Sequence, residues 1–321
     1  MELPYALLNA VEKLAEGLSS AQLSQAARTL SERYRDTARS GQPLLSDRTE
    51  AAAYAITRMP ATYGAVWTAL DWTLEQAELE LSSLLDVGAG TGAATWAASE
   101  RLALSSITCM EAESSMKERG RALMENTDLS GAKWVSGDLL RDALPCKADL
   151  VIASYVLNEI RDSDRPAVLQ KLWDAADKLL LIVEPGTPAG FEQLRTIRQW
   201  AEEQGAFIAA PCPDCKSCPV PKGEDWCHFT CRIPRSRLHR QLKGGDAPYE
   251  DEKFSYLALC REPVTPCQNR VLRHPVIETG RITLSLCSAS GRDTVILRKK
   301  SPDYKKARKL HCGDALTLEG K

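Results

Sequence analysis

The stretch Leu84-Leu85-Asp86-Val87-Gly88-Ala89-Gly90-Thr91-Gly92-Ala93 decides how the chain is read. An apolar run ends in an acid, three glycines follow at alternate positions, and an alanine-rich window comes next. That is the pattern of a strand, a sharp turn and a helix. Glycine suits such a turn because the backbone can take a left-handed conformation there and a ligand can approach with no Cβ in the way. Outward from it, short apolar runs recur as strand candidates at 84–87, 107–111, 133–136, 149–154 and 179–184. Helical windows separate most of them, at 93–102, 115–127 and 165–176. Strand–helix alternation implies a parallel sheet with right-handed crossovers, a doubly wound, Rossmann-like α/β domain.

The flanks differ. Residues 1–80 carry helical periodicity, with Leu3, Leu7, Leu8, Val11, Leu14 and Leu18 on one face. Further helices are expected over 19–38 and 47–59, interrupted at Pro60. No glycine-rich linker follows, so these helices are expected to pack on the α/β domain, which spans 81–210 with its closing helix at 191–205. A cysteine- and proline-rich stretch at 211–232 has no periodicity and needs something other than an apolar core to order it. Strands at 253–260, 281–287 and 293–299, with a turn at Ser290-Gly291, make 233–321 a small β-rich subdomain.

The chain has 321 residues and a net charge of −2. From Cys231 onward it carries 19 Lys and Arg against 10 Asp and Glu, +9, which leaves −11 for the preceding residues. A basic end on an acidic body suits a polyanionic partner. No apolar run approaches the ~20 residues that span a bilayer, so no membrane association is expected. The first twenty residues carry Glu2, Glu12 and Glu16 with neither a basic start nor an apolar core, unlike a secretory leader.

The glycine loop admits two cofactors. Gly88-x-Gly90-x-x-Ala93 fits the dinucleotide pattern. Asp86 two residues before the first glycine, followed by Gly88, Gly90, Thr91 and Gly92, resembles motif I of class I methyltransferases, which bind S-adenosylmethionine. Glu111, at the end of the second strand, stands where a carboxylate accepts hydrogen bonds from ribose hydroxyls in either class. Asp138, after the third strand, resembles the acid that contacts the adenine amino group in methyltransferases. S-adenosylmethionine is therefore expected, with NAD second. Whether methyl transfer occurs is left open. After strand four the sequence reads Ser154-Tyr155-Val156-Leu157-Asn158-Glu159, with an aromatic and an amide but no prolines of the usual N-methyltransferase motif. Tyr155 and Asn158 are the candidate catalytic residues, and packing and capping are their alternative roles. Cys146 precedes the strand and is misplaced for a nucleophile.

Cys212-Pro213-Asp214-Cys215-Lys216-Ser217-Cys218-Pro219, then Cys227-His228-Phe229-Thr230-Cys231, is a metal-ligand pattern. An odd total of 11 cysteines, five of them here, argues against a disulfide framework. Thiolates suit zinc or iron–sulfur centres, and two-residue spacers ending in Cys-Pro resemble ferredoxin loops. A four-iron cluster is favoured, with zinc as the alternative.

Several segments together resemble the methyltransferase-like proteins of the small ribosomal subunit. They are Ala53-Tyr54-Ala55-Ile56-Thr57-Arg58-Met59-Pro60-Ala61-Thr62-Tyr63, the Ser154–Glu159 segment, Glu184-Pro185-Gly186-Thr187-Pro188-Ala189-Gly190, and Asp225-Trp226-Cys227-His228-Phe229. The resemblance implies a [4Fe-4S] cluster held by Cys212, Cys218, Cys227 and Cys287. Cys215, where the family more often has His, and Cys231 are extra thiols. It also implies association with the small ribosomal subunit and its rRNA, in assembly or translation, and active rRNA methylation is the alternative. The basic run Arg298-Lys299-Lys300 through Lys305-Lys306-Ala307-Arg308-Lys309 fits phosphate contacts. The expectation is a monomer, cytoplasmic in a bacterium or in the mitochondrial matrix of a eukaryote.

Overall fold

Caps and breaks set the element boundaries. In the computed structural model, which describes residues 2–36, 47–214 and 218–319, the chain opens with helices α1 (Tyr5–Ala15), α2 (Ser20–Asp36), α3 (Arg48–Thr57) and α4 (Met59–Leu74). The Asp47 carboxylate accepts the Thr49 and Glu50 amides at 2.7 and 2.8 Å and so starts α3. Pro60 falls at the break between α3 and α4, where its sequence position suggested an interruption. It sits in the first turn of α4, where a missing N–H has no intrahelical partner to lose.

There follow β1 (Ser83–Val87), α5 (Ala93–Ser99), β2 (Ser106–Glu111), α6 (Ser114–Met124), β3 (Lys133–Ser136), β4 (Ala148–Ser154), α7 (Arg165–Ala175), β5 (Ala176–Pro185), α8 (Pro188–Glu203) and β6 (Phe207–Ala210). The remainder comprises β7 (Phe229–Pro234), α9 (Arg237–Lys243), β8 (Tyr249–Cys260), β9 (Asn269–Val271), β10 (Val276–Glu278), β11 (Arg281–Ser288), β12 (Gly291–Arg298), α10 (Tyr304–Ala307) and β13 (Ala315–Leu316). Two compact units are built from interleaved stretches. The first holds Met1–Thr68, Glu80–Val183 and Cys231–Glu252, and the second Ala69–Leu79, Glu184–Thr230 and Lys253–Lys321.

In the first unit, strands run in the order β3-β2-β1-β4-β5, all parallel, as in the Rossmann-like fold of class I methyltransferases. Val87, at the end of β1, lies opposite Met110 of β2 and Ala153 of β4. The order reverses between β1 and β4, the point at which such sheets open a crevice beyond the strand ends. The N-terminal helices pack on this domain through one apolar cluster. Leu23, Ala27 and Leu30 of α2 and Ala52 and Ile56 of α3 meet Met116 of α6 and Leu242 of α9.

In the second unit, α8 is capped by Thr187, whose hydroxyl accepts the Gly190 amide at 3.1 Å, and it buries Phe191, Leu194, Ile197 and Ala201. Strand β6 pairs antiparallel with β8, with Phe207 opposite Cys260. Trp72, Phe229, Phe254 and Tyr256 form a ring cluster with centroids 5.4 to 6.1 Å apart. The C-terminal sheet runs β10-β11-β9-β13, with β12 paired to β11. Its core is Val271, Ile282, Leu284, Leu286, Leu297 and Leu316. Strand β8 starts four residues before its expected start because Tyr249–Lys253 alternates between exposed and half-buried polar positions, with no apolar run to mark it. Among the described residues no helix is long and apolar enough to cross a membrane.

Phe254 is fully buried at the centre of the aromatic cluster. Replacing it by Ala should destabilise the second unit by about 3–5 kcal/mol, because a cavity remains where the ring was. Urea unfolding monitored by tryptophan fluorescence checks this.

Candidate functional site

The loop after β1 takes three left-handed glycines, with φ of +67° at Gly88, +57° at Gly90 and +85° at Gly92. Their reasons differ. A Cβ on Gly88 would meet Val156 Cγ2 at 2.7 Å, and one on Gly92 would run into Met124 and Trp134, so both make room for the protein's own packing. A Cβ on Gly90 would face open space, with only Met116 Cε at 3.9 Å. Gly90 is thus the glycine whose bare surface faces outward. Its amide donates to Glu111 Oε2 at 2.7 Å, while the Glu113 amide donates to Oε1 at 2.8 Å. The same carboxylate that was expected to meet ribose hydroxyls therefore also fixes the loop, and each oxygen keeps a further lone pair.

Asp86 is fully buried. Its Oδ2 accepts both the amide and the hydroxyl of Thr95, at 3.1 and 2.8 Å, and Oδ1 has no partner. Burial raises its pKa to about 7 against the lowering by those two bonds, and the nearby Glu111 adds to the rise. Burial likewise raises Glu111. The Thr91 hydroxyl is buried and also lacks a hydrogen-bond partner. Asn158 lies in the 3-10 turn Leu157–Glu159 after β4, and its Oδ1 is buried without a partner. Strands β1 and β4 are neighbours, so Asp86, Thr91 and Asn158 all present unspent polar atoms at the carboxyl end of the switch point.

Tyr155 and Asn158 part company. Tyr155 takes a left-handed φ of +58° and is buried. Its hydroxyl donates to Glu252 Oε1 at 2.9 Å, and Arg58 Nη2 stands 4.0 Å from the same oxygen. The ring is thus held by a half-buried acid of its own unit, at a backbone cost of roughly 1–3 kcal/mol. Asp138, half-buried, spends Oδ1 on the Leu140 amide at 2.8 Å, with Arg141 3.5 Å from Oδ2.

A second site lies in the second unit. Cys212, Cys218, Cys227 and Cys287 line one cavity of about 270 Å³, together with Arg198, Tyr256 and Arg270. Strand alternation explains Cys287: Ile282, Leu284 and Leu286 fill the C-terminal core, so Cys287 belongs to the other face of β11. Burial raises Cys287 to about 12, with the Cys212 and Cys218 sulfurs adding to it. Cys212 is pushed up to about 11, mainly by burial, with the Arg198 guanidinium acting against the rise. Burial and the neighbouring thiols raise Cys227 well above the usual thiol range. Among the described residues, no three His, Cys, Asp or Glu side chains converge closely enough to hold a single ion. Cys215 lies outside the described residues. Cys231 is buried in the first unit with Glu252 nearby, and it does not line this cavity.

Two arginines at the cavity lie outside the expected site residues. Arg270 is 1% exposed. Its Nε donates to Pro211 O at 2.9 Å and Nη1 to Gly313 O at 2.7 Å, while Nη2 is buried with no hydrogen-bond partner. Arg198 donates to Asp214 O at 2.9 Å. Arg198 had a faint signal that the motif reading passed over: it stands on the Phe191, Leu194, Ala201 stripe of α8, where an apolar residue is expected. Arg270 had none. The basic run is exposed at Arg298, Lys299, Lys300, Lys305, Lys306, Arg308 and Lys309.

Residues 48–317 match the family described as mitochondrial small ribosomal subunit Rsm22. The human protein named ribosome assembly protein METTL17, mitochondrial, is 27% identical over 258 residues, 74% of this chain and 55% of that one. The chain therefore spans about half the length of that relative. Among solved structures, magnesium protoporphyrin IX methyltransferase from Synechocystis PCC 6803 with bound SAM is 15% identical, with TM-score 0.42, over 72% of this chain and 90% of that one. The N-methyltransferase NodS from Bradyrhizobium japonicum WM9 is 14% identical, with TM-score 0.37, over 62% and 86%.

The raised Asp86 has a measurable consequence. Below its ordinary value of 3.8 both folded and unfolded chains hold the proton, and above about 7 neither does. Between these limits the unfolded chain loses its proton first, so stability falls as pH rises, by about 1.4 kcal/mol for each pH unit crossed. Asp86→Asn keeps the acceptor for Thr95 without the charge. Its advantage in melting temperature over the native protein should widen from pH 4 to 7 and then level off, as a thermal-melt series would show.

Proposed function

The chain belongs to the mitochondrial small ribosomal subunit Rsm22 family, and from that premise we propose that it binds S-adenosylmethionine at the β1 loop, carries an iron–sulfur cluster at the four-cysteine cavity, and acts on the small ribosomal subunit in assembly or translation. The family match over most of the chain carries the ribosomal reading, supported by the name of the human relative.

For the cofactor, the supporting observation is the bare, outward surface of Gly90 beside the unspent atoms of Asp86, Thr91 and Asn158. Asp86, Gly88, Gly90, Thr91, Gly92 and Glu111 are assigned to S-adenosylmethionine, with Asp138 at the adenine end. S-adenosylmethionine supplies an electrophilic methyl group when bound. This chain's residues bind and orient it, and Tyr155 is engaged with Glu252 rather than with an acceptor. That engagement favours a binding and assembly role over rRNA methylation. For the metal, four thiols lining one cavity of about 270 Å³ support a multi-iron centre, with zinc as the alternative. Cys212, Cys218, Cys227 and Cys287 are its proposed ligands. The exposed lysines after β12 are assigned to rRNA phosphates. A mitochondrial matrix location in eukaryotes follows from the same kinship.

Three outcomes test this. Gly90→Ala should abolish S-adenosylmethionine binding in calorimetry while costing only about 1–2 kcal/mol of stability, since the left-handed backbone is its sole internal penalty; preferential binding of NAD would overturn the assignment. Single Cys→Ser changes at 212, 218, 227 or 287 should lose iron, whereas Cys231→Ser should keep it; iron retained without Cys287 and lost without Cys215 would shift the ligand set. Neutralising Lys299, Lys300, Lys305, Lys306 and Lys309 should weaken co-sedimentation with small subunits and flatten its salt dependence. A specific rRNA methyl group, lost on deletion and restored in vitro by the purified protein, would make the enzyme reading the correct one.

A further inference from the structure

Arginine stays charged at any pH a protein survives, so a buried guanidinium needs partners at every nitrogen. Arg270 meets this need only in part. Pro211 O and Gly313 O take Nε and Nη1, the Cys267 thiol takes a further bond from the guanidinium, and the buried Nη2 has no oxygen or nitrogen partner. The guanidinium lines the same cavity as the four cysteines and stands close enough to the Cys212 and Cys267 sulfurs and the Tyr256 hydroxyl to interact with them electrostatically. The cavity therefore holds a buried cation, partly offset by the Glu75 carboxylate, beside the cysteine sulfurs, with Nη2 lacking an oxygen or nitrogen acceptor.

We propose that Arg270 is the cationic counterpart of the bound cluster, with its Nη2–H serving the cluster's sulfur and its charge stabilising the reduced state. The inference rests on the cluster reading above. Four thiolates around an iron–sulfur core carry a net negative charge that grows by one when the core takes up an electron. A fixed positive charge at low dielectric favours that extra electron, and hydrogen bonds to cluster sulfur act in the same direction. Arg198 adds to the effect less strongly, since Asp214 already engages it, with Oδ1 at 3.5 Å.

The test uses the full chain, reconstituted without oxygen from ferrous iron and sulfide and titrated with dithionite as electron donor under EPR. Arg270→Gln should make one-electron reduction about tenfold less favourable, a fall of about 59 mV. Arg270→Lys keeps the charge but not the planar fork, and should shift the equilibrium about threefold in the same direction. A purely structural Arg270 would lower the melting temperature of the metal-free protein and leave the equilibrium of folded, loaded protein unchanged. That result, in either variant that folds, overturns the proposal. Native protein that takes up no stoichiometric iron and sulfide overturns the cluster reading instead, so the two failures are distinguishable.

Discussion

The carboxylate of Glu111 holds the first unit's site together. Both its oxygens are occupied by backbone N–H groups, from Gly90 and from Glu113, which tie the glycine loop to the end of β2. The loop can then keep its left-handed glycines without side chains to brace it. Parallel register places that loop beside the end of β4, where Asn158 retains an unsatisfied oxygen. Met116, on the helix just after Glu111, belongs to the cluster that secures the N-terminal helices and is also the nearest atom to the outward face of Gly90. The N-terminal helices thus bear on the glycine loop through this methionine.

The second unit solves a different problem. Its cysteine-rich segment has no apolar periodicity, so order must come from outside it. Buried arginines supply part of that order by taking backbone carbonyls: Arg198 takes Asp214 O, and Arg270 takes Pro211 O, just before Cys212. Desolvation and their mutual proximity hold the Cys212, Cys227 and Cys287 thiols above the usual thiol range. Asp225 adds a polar clamp nearby, with Arg273 and Arg292 each 2.8 Å from one of its oxygens.

Much of the α/β domain was legible because its signals are local. An apolar run ending in Asp86 and three spaced glycines mark β1 and its loop, and β3 falls on the expected residues 133–136. The four cysteines lining the cavity are the ones the family resemblance implied. What sequence reading missed depends on residues distant along the chain. Arg270 sits between Asn269 and Val271 in a three-residue strand, and its acceptors are 59 and 43 positions away. Tyr155 reads as either a catalytic or a packing residue until Glu252, 97 residues on, takes its hydroxyl. Nor does a linear reading reveal that the first unit regains the chain at Cys231–Glu252.

The span of Arg270's bonds bears on how the protein is made. Pro211 and Cys212 are synthesised first, while Cys287 follows Cys212 by 75 residues and Gly313 follows Pro211 by 102. At roughly 5–20 residues per second, a nascent chain exposes the first thiols for several seconds before Cys287 and the second carbonyl leave the ribosomal tunnel. The cavity therefore forms only once residues through Gly313 are available, and until then Cys212, Cys218 and Cys227 lack the walls that surround them.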